Sequence, residues 1–500
     1  MKKFSPPEMK EVSFPTPHTP HPTPHYPTTP LPHYPTTPLP HTPHPTPYTP
    51  TPKPHPLLPM TAIITKPEQS GELLLKLSRE TVPTIDNGKI LELRESGASK
   101  AQELAIPGRK DEEWQFTDLS QLWAIDFRAP QTVTIDKNAL AVFLLPEAKN
   151  SHLVFVNGIY QPELSDISAL PPGVSVGNLA NAQKDVLVNY LGKEKTPEFF
   201  TALNQAGLSD GAVIHVTANT VVTTPIHLLF ITVVEEIPRF YQPHSLIVAE
   251  TGASVNIIEN YGALAEHCSD LPVNYSYFTN AVTEIYLEAN AEVIHTRVQR
   301  ESGDGFHIGR TIIEQAHDSR YTLNEINLGA KLCRHNLDVL QKGEQTETNL
   351  HGLAMITGQQ TADTHSAIYL NHPHGITKQL HKCIVDGSAH AIFNGKVFVP
   401  KPAQLTNASQ LNRNLLISNK ARVNTKPELQ ITADNVKCSH GATVSQLEAD
   451  DLFYLQSRGL SADTARSLLI DAFSAEILAK IPLESLRQRL GQCVACRSVE

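Results

Sequence analysis

Between about residue 150 and residue 440 the apolar side chains fall in short runs bounded by turn formers. "LVFVNG", "AVIHVTA", "SLIVAE", "SVNIIENY", "EVIHTRVQ" and "AIFNGKVFV" are rich in valine, isoleucine and threonine, and "TGAS", "EANA" and "DGSA" interrupt such runs. β-Branched residues fit a pleated surface, while Gly, Asn and Asp tolerate the backbone of tight turns. The pattern predicts a long series of short strands with few intervening helices. About 290 residues of it is too much for one small sandwich, whereas a barrel, a propeller or a β-solenoid each accounts for the length. No fixed repeat length stands out, so periodicity does not choose among the three.

Both flanks carry a helical pattern. Residues 69–123 open with Ser70 as a candidate cap before Leu73, Leu74, Leu75 and Leu77, and "KILELRESGASKAQELA" supplies a second helix. In "PGRKDEEWQFTDLSQLW" the rings of Trp114, Phe116 and Trp123 are expected to anchor this unit on the next one. At the other end "VSQLEADDLFYLQSRG" is expected to stop at Gly459 and Ser461 to cap the following helix. Ala465, Leu468, Leu469, Ala472, Phe473 and Ile477 then form one apolar stripe, and Pro482 breaks it. So small a helical unit either packs on itself or presents a docking surface. The predicted boundaries are 60–145 for an N-terminal helical domain, 146–444 for the β core and 445–500 for a C-terminal helical domain.

Composition removes the first 59 residues from this scheme. They hold 21 of the 39 prolines and 7 of the 23 histidines, with "HYPTTPLP" repeated at 25–32 and 33–40. So few aliphatic side chains cannot offset the entropy of ordering, and a disordered, polyproline-like tract is expected. "MTAIITKPEQ" begins ordinary sequence, which makes Met60 the expected native start and the preceding tract an artefact or a dispensable tail. That tract carries a net charge of +2, so of the total of −10 about −12 belongs to residues 60–500. Such acidity argues against a grip on nucleic-acid phosphates. The chain has no run of eighteen apolar residues and no basic-then-apolar leader, so neither a membrane span nor export is expected. Six cysteines (268, 333, 383, 438, 493, 496) in so long a chain form no disulfide framework and suit a reducing cytosol.

The chemistry-bearing candidates are few. Neither a phosphate-binding glycine loop nor G-x-S-x-G nor HExxH is present, which argues against a self-sufficient enzyme. His365, His372, His374, His381, His390 and Cys383 crowd the stretch 361–390, with "NHPHG" offering two histidines around a proline. No carboxylate or thiol completes a familiar metal set there, and placement along a ladder of turns is the plainer expectation. "CVAC" at 493–496 is a single CxxC in what reads as a frayed tail, without a second pair for a four-thiolate zinc site. "KCSHGAT" is the stronger candidate. On an extended strand Cys438 and His440 share one face, because side chains alternate with period 2. Two ligands fall short of the four of a closed tetrahedral site, so the others must come from water, from elsewhere in the chain or from another protein.

Four stretches taken together resemble a known family. "KPELQITADNVKCSHGATVSQLEADDLFYLQSRGL", "HKCIVDGSAHAIFNGKVFV", "AQLTNASQLNRNLLIS" and "PGRKDEEWQFTDL" are similar to the SufB/SufD family of the SUF iron–sulfur cluster assembly machinery, over most of residues 70–480. The resemblance implies a right-handed parallel β-helix between N- and C-terminal helical domains. It implies a heterodimer with a SufB-like paralogue through the β-helices and an ATPase of the SufC type on the C-terminal helices, near Leu469 and Phe473. By the C-S-H motif it implies that His440, with Cys438 beside it, lies at the interface with the paralogue and takes part in cluster assembly. Thiolate ligation favours iron–sulfur chemistry over magnesium or calcium. A non-catalytic scaffold that contributes to iron acquisition is therefore expected. It should have no tightly bound cofactor, only transient iron or a nascent cluster as cargo, in the cytoplasm or a plastid stroma. The intact "KCSHGAT" and the form of "PGRKDEEWQFTDL" favour the SufD side over the SufB side. The other readings are a SufB-type scaffold, a polysaccharide-acting β-solenoid enzyme and a hydrolase using the metal candidates of 365–390. The clustered groove carboxylates and export signal of the second are not apparent.

Overall fold

A computed structural model of the chain describes residues 67–80, 87–194, 196, 198–264, 275–301 and 304–497. All belong to one compact unit, Ala62–Glu500. The proline-rich tract and the expected start at Met60 lie outside the described residues.

The β pattern resolves into a parallel β-solenoid of about seven turns, which is the architecture that periodicity left open. Two ten-stranded ladders face each other. One stacks His152–Val156, Ile226–Val233, Ser254–Leu264, Glu292–Arg300, Arg320–Asn327, Glu347–Ile356, Ile376–Val385, Asn407–Leu416 and Lys437–Gln446 in that order. The other runs from Ala212–Val216 through His244–Ala249, Tyr277–Leu287, Gly305–Gln315, Leu332–Gln341, Thr361–Tyr369 and His390–Val399 to Arg422–Ile431. Among the described strands antiparallel pairing is confined to the start, where Ile159–Tyr160 and Val174–Asn178 close the first edges.

The register explains why no repeat was visible. Glu292 lies beside Arg320, Arg320 beside Glu347, Glu347 beside Ile376, Ile376 beside Asn407 and Asn407 beside Lys437, spacings of 28, 27, 29, 31 and 30 residues. The loops absorb the drift while the strands stay in register. At one corner Asn290, Asp318, Gln345, His374 and Leu405 all adopt left-handed backbone with φ between 56° and 62°. Each donates its N–H to a carbonyl of the next turn, as in Asn290 to His317 at 3.0 Å and His374 to Gln404 at 3.0 Å. These inter-coil bonds hold Gln345 and Leu405 in a conformation that side chains with a Cβ rarely take.

Helices precede and follow the solenoid along the described chain. α1 (Pro67–Glu80) and α2 (Gly88–Glu103) are followed by the single turn α3 (Ser120–Trp123), then by α4 (Lys184–Tyr190) and α5 (Phe199–Ala206) within the β region. The last two were not anticipated. Ser70 is inside α1 rather than its cap, and its Oγ donates to the Trp123 carbonyl at 2.8 Å. Trp114 and Trp123 pack on Phe200 as anchors, but Phe116 is 40% exposed and is not one. Arg334 fastens the Trp114 loop to the solenoid: its guanidinium stacks 3.7 Å from the indole and donates to Asp363 at 2.6 Å and to the Glu113 carbonyl at 2.8 Å.

The C-terminal helices are α6 (Ala449–Ser457), α7 (Ala462–Leu478) and α8 (Glu484–Arg497). Gly459 lies just past α6 with φ 94°, and the Ser461 hydroxyl accepts from the Thr464 N–H, as the sequence predicted. The apolar stripe is rotated from its predicted position. Ala465, Ile470, Ser474, Ile477 and Leu478 are buried, while Leu468 is 48% exposed and Ala472 faces solvent. α7 and α8 pack through Ile470, Ile477, Leu486, Leu490 and Val494 on outward side chains of the first ladder, including Ile326, Leu353 and Ile384. "CVAC" is accordingly the last turn and a half of a packed helix, not a frayed tail.

Candidate metal half-site at the open end of the solenoid

Cys438 and His440 lie on Lys437–Gln446, the final strand of the first ladder. Their register partners one coil below are Ala408 and Gln410, only 2% and 3% exposed. Side chains in one column of a parallel solenoid share an orientation, so Cys438 and His440 both face the inside of the coil, as period 2 required. Among the described residues no further coil lies above them. Cys438 is therefore only half-buried, packed against the central apolar core, and His440 is exposed. Burial raises the Cys438 thiol above its ordinary value, against the lowering effect of a backbone hydrogen bond at Ala408. Ser439 points the opposite way, as expected. The terminal coil also leaves Ile431 and Val444 exposed, together with a strand edge on each ladder that no described strand pairs.

Among the described residues no group of three or more His, Cys, Asp or Glu side chains converges to hold a metal ion. The histidine-rich stretch is dispersed by the geometry. His374 belongs to the left-handed corner ladder. His365 faces outward and contacts Glu113 and Asp363 at 3.3 and 3.0 Å. His390 contacts Asn424 at 2.6 Å on the coil above. His381 is buried inside, stacked on Phe393, and burial pushes it down to about 4. Cys383 is buried too, its thiol pushed up to about 12 by the same desolvation.

A buried seam of ionisable side chains, not expected from the strand pattern, runs inside the coil. The register aligns Glu259, Arg297 and Glu325 in one inward column. Arg297 Nη1 donates to Glu325 at 3.2 Å, and its Nη2 lies 2.6 Å from His307 Nε2. His335 approaches Glu325 at 2.7 Å. Glu259 accepts from Thr283 at 2.7 Å, from Ser245 at 3.0 Å and from His295 at 3.2 Å. Burial alone would raise both carboxyls, but their cationic and hydrogen-bonding neighbours hold each at about 2. The signal was present in "HTRVQ", whose inward positions His295, Arg297 and Gln299 are polar. Gly352 makes room at the same level: a Cβ there would fall 2.1 Å from His381 Nδ1.

Comparison with known proteins accounts for most of this chain. The SufBD core domain of SUF-system FeS cluster assembly matches residues 230–473, and the SufBD N-terminal region matches residues 70–228. The chain belongs to the SufBD family. An iron–sulfur cluster assembly SufBD family protein of Synechocystis sp. is 54% identical over 444 residues, covering 88% of this chain and 98% of that one. Protein ABCI7, chloroplastic, of Arabidopsis thaliana is 36% identical over 406 residues, covering 79% and 84%. The iron–sulfur cluster assembly protein SufD of Escherichia coli is 32% identical over 399 residues, covering 77% and 89%. Membership of the SufBD family places the chain in iron–sulfur cluster assembly within the SUF system, and its solenoid with flanking helices agrees with the fold expected of the family. No helix among the described residues is long and apolar enough to cross a membrane.

Proposed function

We propose that this SufBD protein is a non-catalytic scaffold subunit of a SufBCD-type complex, contributing to iron acquisition, and that Cys438 and His440 are its half of a site completed by a SufB-like paralogue. The observation that carries the reading is their shared inward face on the last described coil, where the stacking of described strands stops. Thiolate and imidazole suit iron or a nascent iron–sulfur cluster, which is cargo here and not a resident cofactor. The uncovered Ile431 and Val444 and the two free strand edges favour a second solenoid end as the surface that closes the site.

A SufC-like ATPase is the partner proposed for the C-terminal helices. Phe473 is committed within the chain: Lys382 lies 4.4 Å over its ring and donates to its carbonyl at 2.9 Å. Leu469 is half-buried. The surface best suited to docking is instead formed by Phe453, 71% exposed, with Tyr454 and Leu468. The chain is proposed to work in the cytoplasm or plastid stroma.

Co-expression with SufB- and SufC-like partners, followed by size exclusion and iron and sulfide analysis, tests the proposal. His440→Ala and Cys438→Ala should leave the complex assembled and lower its iron and sulfide content several-fold. Unchanged content in both variants would refute the half-site. A chain that elutes alone would refute the scaffold role.

A further inference from the structure

Cys493 and Cys496 take no part in the half-site at the coil end, and their surroundings are unlike those of the inert buried thiols. They are three residues apart on α8, whose last residue is Arg497. Residues at that spacing in a helix are neighbours on one face, with Cα atoms about 5 Å apart, inside the range a disulfide spans. Their Cβ atoms must approach by about 1 Å more. The terminal turn allows this, because its last carbonyls have no partner within the helix. Cys333 and Cys383, by contrast, are fully enclosed.

The two sulfurs differ in access and in charge. Cys496 is exposed, while Cys493 is half-buried against the apolar layer beneath α8. Arg300, at the end of strand Glu292–Arg300, donates from Nη1 to Cys493 Sγ at 3.4 Å. Arg489 lies close enough to feel both groups. It is fixed by donating to the Val142 and Leu144 carbonyls at 2.7 and 2.9 Å. Val494, 1% exposed, fixes the helix between the two cysteines. A helix C-terminus disfavours an anion, and the guanidinium supplies the charge that compensates a sulfur anion at Cys493.

We propose that Cys493 and Cys496 form a reversible dithiol–disulfide pair that exchanges with small-molecule disulfides of the glutathione class. The Cys496 thiolate attacks one sulfur of the external disulfide RSSR, forming the Cys496–SR mixed disulfide and expelling RS⁻. The Cys493 thiolate, beside Arg300, then attacks Cys496 Sγ, closes the Cys493–Cys496 bond and expels a second RS⁻. The two protein thiols lose two electrons, RSSR gains them, and the two thiol protons end on two RSH. Reduction runs the same steps backwards, with attack on the exposed Cys496 sulfur and departure of the Cys493 sulfur next to the guanidinium.

The test uses the full chain, reduced and then equilibrated with oxidised glutathione. Alkylation of free thiols and peptide mass mapping then separate these cysteines from half-exposed Cys438. The wild type should accumulate a Cys493–Cys496 disulfide with no lasting glutathione adduct. Cys493→Ser should trap Cys496 as a stable mixed disulfide, and Cys496→Ser should form neither product. Arg300→Gln should slow ring closure about tenfold while glutathione addition to Cys496 in the Cys493→Ser background keeps its rate. A wild-type chain that retains both free thiols, or that stops at the Cys496 adduct, overturns the pair. Unchanged closure in Arg300→Gln overturns the role of the guanidinium.

Discussion

Replacing Arg297 by Met tests whether the buried seam is one electrostatic unit. The guanidinium is fully enclosed, bonds Glu325 and His307, and lies 5.1 Å from the centre of the Tyr261 ring. Met matches much of its volume, so the perturbation is mainly the loss of charge. Glu325 would keep His335 and lose Arg297, its bonded cation of fixed charge. Removing one member of a buried pair costs about 3–5 kcal/mol, because the partner stays desolvated and uncompensated. Exchanging both members for apolar residues removes that penalty, so Arg297→Met/Glu325→Leu should recover most of the loss.

Coils of a solenoid open locally, so a single unfolding midpoint is the wrong readout. Hydrogen exchange read by mass spectrometry on peptides covering 292–300 and 320–327 reports the opening of those two strands. At tenfold per 1.4 kcal/mol, a loss of about 3–5 kcal/mol is faster exchange by a factor of about 10²–10³ or more in the single variant. The double variant should fall within about tenfold of wild type. Equal exchange in wild type and single variant, or a double variant as fast as the sum of its parts, refutes the coupling.

The remaining predictions address pH, packing and docking. Acid should loosen the solenoid in two stages. His381 has its folded value pushed down to about 4, so the stability it contributes is complete above about 6.5 and lost as pH falls toward 4. Glu259 and Glu325, held at about 2, contribute stability that is present above about 4.5 and lost as pH falls toward 2. Glu194 runs the other way: burial raises it to about 7, so its contribution is full below about 4.5 and lost as pH rises through 7. Exchange measured across pH 3–8 should follow these windows strand by strand, and a pH-independent profile would contradict them. Gly352→Ala should destabilise the chain by about 1–3 kcal/mol, read in urea, since its Cβ collides with the His381 ring and the closed coil leaves that ring little room. Phe453→Ala with Tyr454→Ala should leave stability within about 0.5 kcal/mol and reduce capture of a SufC-like ATPase at least tenfold; undiminished capture would move the docking surface elsewhere.

What the sequence disclosed, and what it hid, follows from where the determinants reside. Strand identity was legible because valine, isoleucine and threonine mark it locally, and the helix stop at Gly459 and the helix start at Ser461 were legible because those residues also act locally. Coil period was hidden because it depends on loop length, which varied from turn to turn while backbone bonds between coils kept the register. The corner at Leu405 shows the same thing: its φ of 62° is imposed by a 2.7 Å bond to the Asn435 carbonyl, not by its side chain. Orientation was the second hidden quantity. The α7 stripe was read off hydrophobicity alone, yet small residues, Ala465 and Ser474, are among those the helix buries, and Leu468 is left outside. At the candidate site, period 2 sufficed to put Cys438 and His440 on one face, but nothing local said that this face is the inside of a coil. That follows only from Ala408 and Gln410 beneath them. An inward-facing cysteine and histidine in any earlier coil would be enclosed, as Cys333 and His335 are. On the last coil the same orientation leaves them open to whatever stacks next, which is why the position of the pair in the fold carries more of the functional argument than the identity of its residues.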